Sequence, residues 1–288
     1  MSMVIQWYPD HMMKAKRMMQ EDMKLIDLII ELVDARIPVS SRNPDIDELG
    51  RNKSRIVLLN KSDLADPVCN KQWMKYFESL GIYVLEMNSK TGVGVKNVNG
   101  LVQKACREKI ERDRRRGIVG RPVRAMVVGI PNVGKSTFIN SFAGKACTKT
   151  GNKPGVTKGK QWIRMSKGLE LLDTPGILWP KFEDEHVGRY LAYIGSVNDE
   201  ILVMEELAYD FIACISKLYP KAICDRYGIT LHETPALTLE AIARSRGCFK
   251  KAEELDCRKA ADLLIDDFRS GRLGRITLER PEGGEINE

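Results

Sequence analysis

No stretch of this 288-residue chain approaches the roughly 20 consecutive apolar residues that a helix needs to cross a bilayer, so a membrane role is not expected. The opening MSMVIQWYPD lacks a basic segment with an apolar core, and it lacks the Arg- and Ser-rich character of an organelle leader. Neither secretion nor import is therefore expected, and the cytoplasm is the expected compartment. The seven cysteines, Cys69, Cys106, Cys147, Cys214, Cys224, Cys248 and Cys257, are odd in number, widely spaced and without a Cys-x-x-Cys pair. That argues against a zinc site or a disulfide framework and fits small buried hydrophobes in a reducing compartment. Internal repeats and low-complexity tracts are also lacking.

What is present is an ordinary globular composition, 43% hydrophobic and 30% charged, with an uneven charge distribution. Residues 1–182 carry net +14 and residues 183–288 carry net −7. Two basic tracts lie in the first part. Lys104–Arg124 has nine Lys/Arg against three acids, and Lys145–Lys167 has seven against none. One such run is usually a solvated face; two on one domain point to a polyanionic partner such as nucleic acid.

The first two-thirds alternate short apolar runs with helical patterns, the signature of a parallel α/β sheet. Strands are expected at Leu28–Val33, Ile56–Leu59, Ile82–Met87, Ala125–Val128, Gln161–Met165 and Leu169–Leu172, with a helix over Asn97–Arg116. From residue 183 helical periodicity dominates, at Val187–Ala192, Asn198–Lys217, Thr238–Arg246 and Lys259–Ser270. Turn signals fall at Tyr219-Pro220, Tyr227-Gly228 and Glu233-Thr234-Pro235, and Pro281–Glu288 is expected to fray. Residues 183–288 thus read as a separate small helical domain.

The segment Gly129-Ile130-Pro131-Asn132-Val133-Gly134-Lys135-Ser136 fits G-x-x-x-x-G-K-[ST] between a strand and a helix at Ser136–Phe142. Glycines let successive N–H groups point inward to cradle phosphates, and the helix N-terminus adds its dipole. Asn132, Val133, Gly134, Lys135, Ser136 and Thr137 form the expected phosphate-contacting run. Lys135 would reach the β/γ-phosphates and the Ser136 hydroxyl would ligate Mg²⁺. Asp173-Thr174-Pro175-Gly176 ends an apolar strand, which suits Asp173 to the metal side and the Gly176 N–H to the γ-phosphate. Thr157, after Pro154-Gly155, suits a switch hydroxyl on Mg²⁺. Asn60-Lys61-Ser62-Asp63 closes another strand. The Asp63 carboxylate can accept from the ring N–H and amine of guanine, a donor pair that adenine lacks. Asn60 would brace the loop or the base, and the Lys61 stem would pack over the ring. Asn88-Ser89-Lys90 fits a further base-contacting element.

The order of these motifs is itself informative. Ordinary GTPases run from P-loop through switch threonine and Asp-x-x-Gly to Asn-Lys-x-Asp and the last base element. Here the guanine elements at 60–63 and 88–90 precede the phosphate half at 129–176. A parallel sheet depends on strand neighbours rather than on where the chain begins, so a circular permutation joined through Lys109–Pro122 is expected.

On these residues the chain resembles the circularly permuted GTPases of the YlqF/RbgA type, which assist assembly of the large ribosomal subunit. The resemblance extends to Trp7-Tyr8-Pro9 with His11-Met12, Asp34-Ala35-Arg36-Ile37-Pro38, Leu178-Trp179-Pro180-Lys181 and Asp267–Arg275. It implies a permuted Ras-like P-loop domain at 1–182, a mostly parallel sheet flanked by helices, followed by an RNA-binding helical domain at 183–288. It further implies a monomeric GTP hydrolase using GTP/GDP and Mg²⁺, whose partner is a large-subunit precursor of rRNA and ribosomal proteins. Ile177 stands where Ras-like proteins carry the water-orienting glutamine, and the family substitutes a histidine. His11 is that candidate or else a loop or core histidine, and Asp10 stands where the family has glycine. Asn132 matches an asparagine that supports K⁺ in related GTPases, or else it braces the loop. Arg244, Arg246, Lys250, Lys251, Arg272 and Arg275 are candidate RNA contacts of the net-acidic helical domain.

Two other readings remain open at this level. One is a permuted GTPase of the small subunit, whose relatives usually carry an added barrel or zinc module; the first strand at Leu28 and the cysteine spacing disfavour it. The other is a nucleotide-gated RNA-binding module with negligible catalysis.

Overall fold

The computed structural model describes residues 17, 19–148, 161–165, 168–174 and 185–281. Six strands form one sheet: β1 (Leu28–Asp34), β2 (Ser54–Asn60), β3 (Tyr83–Glu86), β4 (Val123–Val128), β5 (Gln161–Met165) and β6 (Leu169–Asp173). Their spatial order is β3-β2-β1-β4-β6-β5, parallel except for β5, which pairs antiparallel with β6 at the edge. All six expected strands are observed, with ends shifted by no more than two residues. The central strand β1 is buried at all seven positions, because both of its faces are covered and no polar alternation is needed. Its mid-strand acid, Glu31, is partnered by Arg55 at 2.8 Å and Arg42 at 3.3 Å.

The helices are α1 (Asp45–Leu49), α2 (Pro67–Ser79), α3 (Val98–Ala105), α4 (Arg107–Arg115), α5 (Lys135–Ala143), α6 (Glu185–Tyr193), α7 (Met204–Leu218), α8 (Pro220–Tyr227), α9 (Pro235–Ser245) and α10 (Cys257–Arg269). Three differ from expectation. The helix expected over Asn198–Lys217 begins only at Met204, after a 3₁₀ turn at Asp199–Ile201 and the extended residues Leu202 and Val203. The helix expected over Asn97–Arg116 is broken at Cys106 (φ −102°, ψ 12°). The bend lets α3 bury Val98 and Val102 while α4 turns Lys109 and Asp113 toward Asp27. The turn signals at 219–220 and 227–228 bracket a helix, α8. Pro220 occupies its first position, where a missing N–H costs nothing, and Gly228 closes it.

On one face of the sheet Val33, Val57 and Leu59 pack with Trp73 and Phe77 of α2. The other core runs without interruption from Ile30, Leu32 and Val127 to Leu191, Phe211 and Phe268. The helical part therefore shares its apolar interior with the sheet, and the Phe211 ring lies 5.0 Å from Tyr193 and 4.9 Å from Phe268. After α10 the chain returns to the sheet domain as a strap. Ile276 N donates to Leu64 O (3.0 Å), Leu278 N to Arg36 O (2.8 Å), and Trp73 Nε1 to Glu279 O (3.1 Å).

The sheet positions the site through its topology. The chain leaves β1 toward β2 and β3 on one side, whereas β4 leads to β6 on the other. A crevice is expected outside the C-terminal ends of strands at such a reversal. Asp34, Asn60, Glu86, Val128 and Asp173 all end their strands at that edge.

Candidate nucleotide-binding site

The phosphate half begins where β4 passes through Gly129–Ser136 into α5. The loop is drawn tightly against its neighbours. A Cβ on Gly129 would lie 2.6 Å from Leu32 O, and one on Gly134 (φ +102°) would lie 2.4 Å from Asn60 Nδ2. Only glycine fits at those two points. Asn132, between them, holds a left-handed φ of 59°, strain of a kind that persists when the surroundings over-determine it. Lys135 is buried, and its Nζ donates to Gly129 O (2.9 Å) and Ile130 O (2.8 Å). Burial lowers its pKa to about 8, against the pull of Asp173. A bound phosphate would supply the negative charge that this buried ammonium lacks. Ser136 and Thr137 lie in the first turn of α5.

Asp173 ends β6 beside β4, in register with Val127. It is 1% exposed, and its Oδ1 has no hydrogen-bond partner among the described residues. Burial pushes its pKa up to about 6, although Lys135 acts in the opposite direction. An orphaned buried carboxylate is a hard-oxygen donor of the kind Mg²⁺ prefers, so Asp173 fits the ion, and Ser136 in the first turn of α5 could supply a hydroxyl oxygen. Thr174 is fastened by its Oγ1 to Val127 O at 2.8 Å. Thr157, Gly176 and His11, with Asp10 and Ile177, lie outside the described residues.

The base half is built around Asn60, which is 2% exposed. Its Nδ2 donates to Val133 O in the P-loop (2.7 Å), and its Oδ1 accepts from Ser89 N and Ser89 Oγ, both at 2.9 Å. Asn60 thereby joins three motifs, its own, the P-loop and Asn88-Ser89-Lys90. Asn88 Oδ1 accepts from the backbone N–H of Lys90 (2.8 Å) and Thr91 (3.0 Å), which rounds off that loop. Asp63 is exposed at the loop tip, where a base could reach it, and its main-chain oxygen accepts from Arg275 Nε at 3.2 Å.

Sequence reasoning assigned no role to Asp34 or Arg36, which form the most buried charge cluster at this edge. Arg36 is 1% exposed and grips Asp34 through Nε and NH2, each at 2.8 Å. Lys61 Nζ approaches the same carboxylate at 3.0 Å. Burial alone would raise the Asp34 pKa, but the charges and hydrogen bonds of Arg36 and Lys61 hold it far below the usual carboxylate range. Arg36 NH1 also donates to Phe268 O (3.3 Å) and Arg269 O (3.4 Å) at the end of α10, with its guanidinium 4.9 Å from the Phe268 ring centre. The Lys61 head group is thus engaged away from the loop tip. The signal that could have found this was the charged pair Asp34-x-Arg36 directly after a largely apolar strand.

The P-loop also touches the helical part. Asn132 Nδ2 donates to Gly195 O (2.6 Å), and Ser196 Oγ donates to Pro131 O (2.8 Å). Arg269 holds the same turn, donating to Tyr193 O (2.9 Å) and Ala192 O (2.7 Å) while pairing with Asp199.

With this geometry in place, known proteins can be compared. A ribosome biogenesis GTPase A of Bacillus cereus is 47% identical over 97% of this chain and 95% of its own length. The chain belongs to the ribosome biogenesis GTPase A family. A member from Thermotoga maritima is 32% identical over 96% of the chain and 94% of its own length. The crystal structure of GNP-bound YlqF from T. maritima matches with a TM-score of 0.66 and 29% identity, covering 93% of this chain and all but 1% of that one. A family model described as 50S ribosome-binding GTPase matches residues 124–246. That match opens at β4 and leaves the base half, Asn60–Asp63, ahead of it, in accord with the permuted order. The chain is accordingly a guanine-nucleotide-binding GTP hydrolase with a permuted Ras-like domain and a helical region behind it.

Proposed function

We propose that this GTPase docks on precursors of the large ribosomal subunit in its GTP form and is released by hydrolysis. The names of its relatives support action in ribosome biogenesis, and the description 50S ribosome-binding GTPase supports the large subunit. The observation that carries nucleotide gating is the pair of bonds from Pro131 and Asn132 to the Gly195-Ser196 turn. The loop that meets phosphate and the turn that opens the helical part are one connected unit. In sequence, eleven residues join Asp173 to α6, so a γ-phosphate-dependent move at Gly176 would pull on the helix that leads to the same turn.

In this reading residues 1–182 form the GTPase domain and residues 183–288 an RNA-binding domain, in a cytoplasmic monomer. Asp63 selects guanine and Lys135 holds the β/γ-phosphates. Ser136, Thr157 and Asp173 would hold Mg²⁺, which when bound neutralises charge on the β- and γ-phosphate oxygens. His11 orients the attacking water in place of the missing glutamine. Asn132 contributes to a K⁺ site, and hydrolysis that runs equally fast in potassium and sodium buffers would rule that out.

The test is co-sedimentation with large-subunit precursors under GTP, GDP and a non-hydrolysable analogue. Binding is expected with GTP and the analogue and to be weak with GDP; equal affinity in all three states rejects the gating. His11→Ala should lower particle-stimulated turnover by about a hundredfold or more while leaving nucleotide affinity intact.

A further inference from the structure

The candidate RNA contacts of the helical part are largely engaged within the molecule. Arg246 donates to Arg226 O and lies over the Tyr227 ring, Arg272 pairs with Asp266 and Asp267, and Arg275 bonds Asp63 O. The first basic tract is the reverse case. Helix α4 turns Cys106, Lys109 and Asp113 inward, with Lys109 paired to Asp27 (3.3 Å) and Asp113 (3.0 Å). Its outer face and the turn that follows present Arg107, Arg112, Arg114, Arg115, Arg116 and Arg121, all exposed. Arg107 and Arg115 share Glu111, whereas the side chains of Arg112, Arg114, Arg116 and Arg121 make no hydrogen bond or close ion pair among the described residues. Four exposed guanidinium groups within ten residues repel one another and are only partly offset by the nearby Glu111 and Asp113, so an anionic partner is the occupant that charge complementarity selects.

We propose that this outer face of α4, through Arg121, binds the phosphate backbone of double-helical RNA. The inference rests on the ribosomal reading above and adds a second contact surface to it. The chemistry chooses the class of ligand. Six arginines and no competing lysine at these positions suit bidentate phosphate recognition. Residues 104–121 contain no Phe, Tyr or Trp, so the face lacks the stacking platforms on which single-stranded nucleic acid is held. Backbone recognition without base reading is what such a surface can do.

Position gives the contact a distinct role. Lys109 and Asp27 place α4 where β1 and β4 begin, and the nucleotide motifs lie where those strands end. Seven residues of strand span about 20 Å, well beyond the ~8 Å screening length at physiological salt. The face is therefore an anchor that works alike in the GTP and GDP states, in contrast to the nucleotide-gated turn at Gly195.

The test compares the full chain with the variant R112Q/R114Q/R116Q/R121Q, whose substitutions are exposed and preserve helix propensity. Two probes are used: a 20-base-pair RNA duplex and purified large-subunit precursors, each titrated over a salt series. The slope of log affinity against log salt should fall by about 3–4, since each duplex phosphate contact contributes roughly 0.9. Affinity for both probes should drop more than tenfold, by the same factor with GTP and GDP, while GDP affinity and basal hydrolysis stay unchanged. Substituting lysine at the same four positions should restore most of the slope. Unaltered duplex affinity and slope in the glutamine variant would overturn the proposal, as would a loss carried instead by R244Q/K250Q/K251Q. A wild-type chain that binds the duplex through this face but ignores the particles would refute the ribosomal reading and leave the anchor standing.

Discussion

The two halves of the nucleotide edge are fastened to the rest of the molecule by different means. The base half is clamped by charge and burial. Arg36 joins Asp34 and Lys61 to the end of α10, and the strap after α10 bonds Leu64, Asp63 and Asp66 through Ile276, Arg275 and Thr277. Beside the shared apolar core, the hydrogen bonds between the phosphate half and the helical part among the described residues include two neutral ones, Asn132 to Gly195 O and Ser196 to Pro131 O. Breaking a buried ion pair by removing one partner costs several kcal/mol, whereas a neutral hydrogen bond nets about 1 kcal/mol. The difference assigns the base half to anchorage and the phosphate half to movement: a switch needs contacts that a γ-phosphate can outweigh.

The sharpest way to break this contrast is Arg36→Met. It leaves Asp34 buried with Lys61 alone, and a stability loss of about 3–5 kcal/mol is expected in denaturant unfolding. A loss under 1 kcal/mol would show that the base half is not clamped. The same cluster predicts the pH response. A carboxylate held below its unfolded value of 3.8 contributes stability that is complete above that pH and fades as acid is added below it. Wild type should therefore lose stability between pH 4 and more acidic conditions, and the methionine variant should show a shallower decline.

Next in size are changes at the joint between the halves. Asn60→Ala removes three hydrogen bonds and strands Val133 O, for an expected loss of about 2–3 kcal/mol and a tenfold to hundredfold weaker grip on GDP, read by fluorescent-nucleotide titration. Gly134→Ala should act on the same coupling, because its Cβ would collide with Asn60; strain of about 1–3 kcal/mol is expected. Asp63→Asn should cost about 1.5–3 kcal/mol of GTP affinity, the worth of hydrogen bonds to a charged group, without any gain for ATP. If GTP affinity is unchanged, Asp63 is not the base reader.

The mildest change is Ser196→Ala. It should lower stability by only about 1 kcal/mol yet narrow the difference between GTP and GDP in particle binding. If that difference is untouched, the Gly195-Ser196 turn does not carry the signal.

Much of this molecule is written locally. The P-loop is recognisable because its glycines, lysine and serine are needed at fixed spacings along one turn. The central strands are recognisable because burial on two faces demands apolar runs such as Ile56–Leu59 and Ala125–Val128. Permuted order is legible for the same reason, since motif chemistry does not depend on where the chain starts. Helix α8 was harder to see, as a proline and a glycine eight residues apart read equally well as turns and as the two ends of a short helix.

What only the tertiary structure decided are the partners of groups far apart in sequence. Arg36 finds Phe268 O across 232 residues, Trp73 finds Glu279 O across 206, and Asn132 finds Gly195 O across 63. A side chain's identity states what bond it can make, but not which backbone oxygen the fold will bring within 3 Å. Asn60 shows the division well: its motif announced a role at the nucleotide, and its partners, Val133 O and Ser89, arrive from two other loops. The sequence determined the chemistry at this edge, and packing determined which half of it is clamped and which half is free to move.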